Sequence, residues 1–158
     1  MAKIIVNSKT YGEKVILIDD EDFEYINQWK WWIGKRCGTF YAARSLHGPP
    51  RSIIYMHRLI SGVTDRKIEI DHKDHNGLNN QRSNLRLSTK RQNGCNKHPR
   101  GSSKYLGVSL WNGRWRATIK DNSKQIWLGF HKTEELAALA YNKAAEKIHG
   151  EFANLNQF

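Results

Sequence analysis

Asp71-His72-Lys73-Asp74-His75-Asn76-Gly77, followed by Asn84-Leu85-Arg86 and Gln92-Asn93, is the stretch around which the chain is organised. It places a carboxylate beside an imidazole, then a turn, then asparagines at fixed distances. Asp71 and Asn93 offer hard oxygen ligands of the kind that Mg²⁺ binds. His72 carries the side chain that takes up a proton near neutral pH. This combination indicates metal-assisted hydrolysis.

The composition indicates the class of substrate. The 158 residues include 26 Lys and Arg against 15 Asp and Glu, which gives a formal net charge of +11, and 11% are aromatic. A basic chain rich in aromatic side chains favours nucleic acid as its partner. A membrane partner is not expected, because no run of about 18 apolar residues is present and no signal peptide opens the chain. Cys37 and Cys95 stand apart and indicate neither a zinc knuckle nor a disulfide framework.

The first 65 residues predict a small β-rich scaffold. Alternating and β-branched residues predict a hairpin around Tyr11-Gly12, and the acidic run 19–22 favours the start of a short helix. Further strands are predicted over Trp29–Ile33 and Thr39–Arg44, with a loop at 34–38 between them. The three tryptophans at 29, 31 and 32 are interpreted as sheet core rather than as a base-stacking platform.

The central stretch predicts strand, loop, strand and helix. Ile68–His72 alternates like a strand, and turn-forming residues follow it. Residues 84–88 return as a second strand, and Thr89 is a suitable N-cap for a helix that carries Asn93. This order brings Asp71, His72 and Asn93 together. A hairpin with no chemical role is the alternative.

Residues 66–97 resemble the HNH endonucleases, the ββα-metal nuclease family. The signature positions fall on His72, Asn84 and Asn93, with spacings of twelve and nine residues. The resemblance implies that His72 is the general base and that Asn84 braces the loop by hydrogen bonds. It implies that Asp71 and Asn93 hold one divalent metal ion, Mg²⁺ or Mn²⁺. His57, in a Met-His-Arg-Leu run, is expected to pack against the site without binding metal.

Residues 102–156 resemble an AP2/ERF DNA-binding domain. The matching motifs are Tyr105-x-Gly107-Val108, Trp115-x-Ala117, Trp127-Leu128-Gly129-Phe130 and the alanine-rich run 137–145. The resemblance implies a three-stranded antiparallel sheet that packs on one helix and meets double-stranded DNA with its other face. Strands over 105–108, 111–120 and 126–130 and a helix capped by Thr133 are predicted. The predicted DNA contacts, including phosphate contacts near the linker, are Lys90, Arg91, Lys97, Arg100, Trp111, Arg114, Arg116, Thr118, Lys120 and Trp127.

The whole chain is therefore predicted to be an α+β protein with two modules. A nuclease domain spans 1–97, with scaffold 1–65 and motif 66–97; a basic linker spans 98–103, and the AP2-like domain spans 104–158. The combination resembles the free-standing homing endonucleases of bacteriophages, which implies a cytoplasmic location in a bacterial host. A DNA-binding regulator with a vestigial nuclease site and a non-specific toxin or defence nuclease are the alternatives. The sequence leaves monomer and homodimer open.

Overall fold

The computed structural model describes residues 1–46, 52–94, 99 and 102–158. They form two compact units, Met1–Lys90 and Arg91–Phe158. Both units combine small antiparallel β-structure with helices, so the predicted α+β class is confirmed. The predicted domain boundaries at 97 and 104 stay a prediction. No helix in the described ranges is both long and apolar enough to cross a membrane.

The described residues of the first unit form one three-stranded and two two-stranded antiparallel sheets. Strand β1 pairs with β2, β4 lies between β3 and β5, and β6 pairs with β7. The elements are β1 Ala2–Ser8, β2 Gly12–Ile18, α1 Asp20–Ile26, β3 Trp32–Arg36, β4 Thr39–Leu46, β5 Ser52–Tyr55, α2 Met56–Ile60, β6 Glu69–His72 and β7 Leu85–Ser88. Helix α3, Lys90–Asn93, completes the predicted strand, loop, strand and helix order and begins at the last residue of this unit.

The predicted strand Trp29–Ile33 was placed too early in the chain. Strand β3 begins at Trp32 and runs to Arg36, so the predicted loop shrinks to a turn at Cys37 and Gly38, both with positive φ. The reason is that Trp31 is taken into the core, where its indole N–H donates to the Ile26 carbonyl at 2.9 Å. The core interpretation of the tryptophans therefore holds for Trp31, whereas Trp32 is 38% exposed.

The core of the first unit holds the loop that follows β6. Ile16, Ile18, Ile26 and Met56 are fully buried, and Leu78 from the loop packs with them. Burying such aliphatic side chains stabilises a fold by about 1.5–3 kcal/mol each. The backbone of Leu17 in β2 accepts from Asn80 N–H at 2.7 Å and donates to the Leu78 carbonyl at 2.9 Å. The loop is thus attached to β2 through both its apolar side chain and its backbone.

The second unit has the architecture predicted for an AP2-like domain. Its strands are β8 Val108–Trp111, β9 Arg114–Asp121 and β10 Lys124–His131, with β9 in the centre. Helix α4, Glu134–His149, packs on this sheet, and a short 3-10 helix, Gly150–Phe152, follows it. The predicted first strand at 105–108 was placed too early. Gly107 has φ +70°, and an added Cβ would overlap with the Tyr141 ring and the Thr118 carbonyl, so the strand begins only after it.

Helix α4 begins and ends where the sequence predicted. The hydroxyl of Thr133 accepts from the Leu136 N–H at 3.2 Å, which satisfies one of the free N–H groups of the first turn. Gly150, with positive φ, follows the last helical residue. Ala137, Ala138, Tyr141 and Ala145 are buried on the helix, and Ala117 and Ile119 of β9 are buried beneath them. The small alanine side chains let the helix approach the sheet closely.

Candidate active site

Asp71 and His72 are the last two residues of β6, and both are buried, with 4% and 6% of their surfaces exposed. Strand β7 lies beside them, so that Asp71 is opposite Arg86 and His72 is opposite Leu85. The hairpin thus presents the carboxylate and the imidazole together at one strand end, and the charge of Asp71 acts on the imidazole of His72.

Arg86 forms an ion pair with Asp71 that sequence reasoning missed. Its Nε and Nη2 lie 2.8 Å and 2.6 Å from Asp71 Oδ2, and the two side chains are only 17% and 5% exposed. The ion pair could have been predicted from the sequence, because a hairpin that pairs residues 69–72 with 85–88 places Asp71 opposite Arg86. The pair fixes the position of the carboxylate and partly neutralises it.

Asp74, Asn79 and Asn84 organise the loop after His72. The side-chain amide of Asn84 donates to Asp74 Oδ1 at 2.9 Å and to the Asn79 carbonyl at 2.8 Å, and Asn84 Oδ1 accepts from the Asp74 N–H at 3.1 Å. Asn79 donates a further hydrogen bond to Asp74 Oδ2 at 2.7 Å. Burial raises the pKa of Asp74, but the hydrogen bonds from Asn79, the Asn76 N–H and Asn84 outweigh it and the pKa is lowered. Asp74 thus remains a carboxylate that closes the loop.

A second anchor of the loop comes from helix α1. Arg82 binds both carboxylate oxygens of Asp22, at 2.9 Å and 2.7 Å, and its backbone N–H donates to Asp19 Oδ2 at 2.8 Å. The acidic side chains of Asp19, Glu21 and Asp22 lie close enough to one another to hold a cation. Because Arg82 already provides the positive charge there, we interpret this acidic cluster as structural.

His72 is held neutral by its surroundings. Burial lowers the pKa of its imidazole, while a side-chain interaction with Asn80 and the charges of Asp74 and Asp71 raise it; the net pKa lies below the ordinary 6.5. Asn80 is completely buried, which is unusual for an amide side chain. A neutral imidazole at physiological pH is the form that can accept a proton.

Two rings contact the imidazole of His72, and a third ring stacks behind one of them. The His57 ring meets it edge-on with 5.2 Å between centroids, and the Tyr41 ring lies 6.0 Å away. The Tyr55 ring stacks on His57 at 5.5 Å with an interplanar angle of 22°. Burial lowers the pKa of His57 to about 3, with further lowering from His72 and Arg58. His57 is therefore a neutral packing partner, in the role expected from the sequence.

The described donors fit a divalent metal ion. Asp71 supplies a buried carboxylate, and an asparagine supplies an amide oxygen; both are hard ligands that Mg²⁺ and Mn²⁺ accept. Asn93 is the last residue of α3 and belongs to the second compact unit, whereas Asp71 and His72 belong to the first. The predicted convergence of Asp71, His72 and Asn93 on one metal site therefore stays a prediction. An ion held by Asp71 would share this carboxylate with Arg86.

The outer face of the β8–β9–β10 sheet carries most of the predicted DNA contacts. Arg114, Arg116, Thr118 and Lys120 alternate with the buried Ala117 and Ile119 along β9. Trp111 and Trp127, opposite Arg114 and Thr118 on the neighbouring strands, are 53% and 63% exposed. Phe130, which the sequence analysis did not select, lies opposite Arg116, 43% exposed and edge-on to Trp127 at 5.9 Å. The face combines cations with exposed aromatic rings.

The remaining predicted DNA contacts lie near helix α3. Lys90 is the first, exposed residue of α3. Arg91 is also exposed, but its guanidinium forms an ion pair with Asp121 at the end of β9. Lys97 and Arg100 lie outside the described residues.

Comparison with known proteins decides the family. A family model described as HNH endonuclease matches residues 55–95, which include β6, β7 and α3. The Uncharacterized HNH endonuclease L560 of Acanthamoeba polyphaga mimivirus is 36% identical over 134 residues, 84% of this chain and 69% of the relative. The chain belongs to the HNH endonuclease family. It is therefore a nuclease, and HNH nucleases in general use a divalent metal ion.

The similarity of this HNH endonuclease to plant DNA-binding proteins is also confirmed. The Ethylene-responsive transcription factor ERN3 of Medicago truncatula is 51% identical over 51 residues, 30% of this chain and 21% of the relative. The Dehydration-responsive element-binding protein 2D of Arabidopsis thaliana is 35% identical over 88 residues, 51% of this chain and 41% of the relative. The chain thus spans less than half of either plant protein. Both similarities support DNA as the partner of the nuclease.

Proposed function

We propose that this HNH nuclease is a site-directed endonuclease of the homing type that hydrolyses phosphodiester bonds in double-stranded DNA with a divalent metal ion, Mg²⁺ or Mn²⁺. The supporting observation is that a buried, neutral His72 and a buried Asp71 end the same strand beside a loop with extensive hydrogen bonding. This arrangement suits the activation of a water molecule next to a cation ligand. A regulator that only binds DNA has no need of a base held in its neutral form.

In the proposed reaction His72 accepts the proton of the water that attacks the phosphorus. Asp71 and Asn93 would hold the metal ion, which would supply positive charge at the scissile phosphate. Asn84 keeps the loop in place through Asp74 and the Asn79 carbonyl, and the loop keeps His72 aimed. The bond between phosphorus and the leaving oxygen breaks as the new bond to the water oxygen forms.

The outer face of the sheet selects or anchors the DNA in this proposal. Arg116, Thr118 and Lys120 supply donors along one strand, and Trp111 and Trp127 supply apolar surface for sugars and bases. Leu106, Ser109 and Gln125 stand where plant members carry arginines, so the plant target sequence is not carried over. Residues 1–97 form the cutting domain, 98–103 the linker and 104–158 the DNA-selecting domain.

The test is a cleavage assay in which the ends of the products are mapped by sequencing. Plasmid or genomic DNA is incubated with the purified protein in Mg²⁺, in Mn²⁺ and in EDTA. We expect cleavage at one or a few positions, only with metal. Cleavage at random positions would favour the non-specific nuclease, and specific binding with no cleavage in any divalent metal would favour the regulator.

The double variant Arg116→Ala/Lys120→Ala is expected to weaken DNA binding and to leave the cleavage rate at saturating DNA unchanged. Each lost phosphate contact should reduce the slope of log K against log salt by about 0.9. The matched control is Lys143→Ala/Lys147→Ala, which removes the same charge from exposed positions of α4. The dissociation constants of the three proteins are measured over a range of salt concentrations. Equal weakening by both variants would show that net charge, and not this face, binds DNA.

A further inference from the structure

A cavity of about 630 Å³ lies in the first unit on the far side of Tyr55 from His57. It opens to solvent between strand β5, helix α2 and the segment that follows α2. Ile53, Ile54 and Val63 give it an apolar wall, and Arg36 from the end of β3 completes one side. A half-open, partly apolar cavity of this size accommodates an extended chain molecule.

The charges around the cavity are of one sign. Arg36, Arg58 and Arg66 line it, and none of the described lining residues is acidic. Arg58 is fixed in place, because its guanidinium donates to the Ile68 carbonyl at 2.9 Å and to the Asp65 carbonyl at 2.7 Å. Arg36 and Arg66 are exposed, and neither forms an ion pair with a carboxylate of the described residues. Three arginine side chains, one of them held by two hydrogen bonds, therefore line the cavity.

The cavity shares a wall with the candidate active site. Tyr55 lines the cavity and stacks on His57 at 5.5 Å, and the His57 ring lies 5.2 Å from that of His72. Two ring-to-ring steps thus separate the cavity wall from the candidate base. One strand of B-DNA advances about 3.4 Å for each phosphate. About three nucleotides of one strand therefore span the same distance as the two ring-to-ring steps.

We propose that this cavity binds the sugar-phosphate backbone of the DNA strand a few nucleotides away from the scissile bond. Arg36 and Arg66 contact phosphates, Arg58 contributes a fixed positive field, and the apolar wall of Ile53, Ile54 and Val63 contacts deoxyribose. Guanidinium groups suit this task, because their planar donors match two phosphate oxygens at once. The inference rests on the proposed role of His72, since that role locates the scissile bond.

The experiment compares Arg36→Gln/Arg66→Gln with Lys3→Gln/Lys9→Gln, which removes the same charge from exposed positions of the first unit away from the cavity. Binding of a duplex that contains the mapped cleavage site is measured as a function of salt. The cavity variant is expected to lower the slope of log K against log salt by about 1.8, twice the value for one phosphate, and the control by less than half of that. Equal slopes for the two variants would overturn the proposal.

A change in the DNA gives an independent measurement that does not depend on folding of a variant. Neutral methylphosphonates are placed at single positions from one to five nucleotides on either side of the cut. Substitutions on one side are expected to weaken binding of the wild-type protein at least threefold and to leave the Arg36→Gln/Arg66→Gln protein unaffected. The same loss for both proteins at every position would contradict the cavity assignment. The wild-type protein is also assayed for metal-dependent cleavage of the unmodified duplex. If it cleaves, a failed cavity assignment leaves the proposed nuclease function standing.

Discussion

His72→Ala is expected to lower the rate of DNA cleavage roughly 10²–10⁴-fold at saturating DNA and metal, the usual contribution of a general base. The imidazole is buried at the end of β6, and its lowered pKa keeps it neutral at physiological pH. Alanine removes the proposed proton acceptor and leaves the proposed metal ligands Asp71 and Asn93 in place. The rate is measured by single-turnover cleavage of a labelled duplex with excess protein, and DNA affinity by titration of the same duplex.

The matched control is His75→Asn. His75 lies three residues further on, in the turn after β6, and has φ 62°. Asparagine tolerates this left-handed conformation better than other residues with a side chain, so the turn is preserved. We expect the control to cut within about tenfold of the wild type, since His75 has no part in the proposed proton transfer. A His72→Ala protein that cuts as fast as the wild type would refute the assignment of the base.

The free energy of unfolding of the first unit falls as the pH is lowered from 7 to 5. His57→Phe is expected to reduce this fall by about 2 kcal/mol. Burial lowers the pKa of His57 from 6.5 to about 3 in the folded protein. The unfolded chain therefore takes up a proton near pH 6.5 that the folded protein refuses. The contribution of His57 to the free energy of unfolding is therefore fully present above pH 6.5 and is lost as the pH falls towards 3. Phenylalanine keeps the ring but does not titrate, so this loss disappears.

The measurement is urea unfolding at pH 7, 6 and 5, followed by hydrogen exchange of peptides from β2 and α1, which report on the first unit alone. Tyr55→Phe is the control, because it changes the ring that stacks on His57 and leaves the His57 imidazole in place. We expect its pH dependence to match the wild type. Parallel curves for the wild type and His57→Phe would mean that His57 is protonated in the folded protein.

Much of this protein was predictable because its signals are local in sequence. The strand, loop, strand and helix order at 68–93 follows from alternation, turn residues and a cap, and the structure contains each element within a residue or two. The burial of Ala117 and Ile119 against α4 followed from the period of the strand and of the helix. The predicted starts of β3 and β8 were too early. Trp31 is buried in the core before β3, and Gly107 packs too closely against Tyr141 to belong to β8.

Tertiary structure alone decided which side chains surround the candidate base and how they are charged. The ion pair of Asp71 with Arg86 spans 15 residues, and the contact of His72 with His57 also spans 15. Burial of Asn80 and attachment of the loop to Leu17 depend on the packing of β2 against a segment 60 residues away. The sequence by itself determined the family, the order of the elements and the types of the reactive groups. Desolvation, which lowers the pKa values of His57 and His72, arises only when these distant elements pack together.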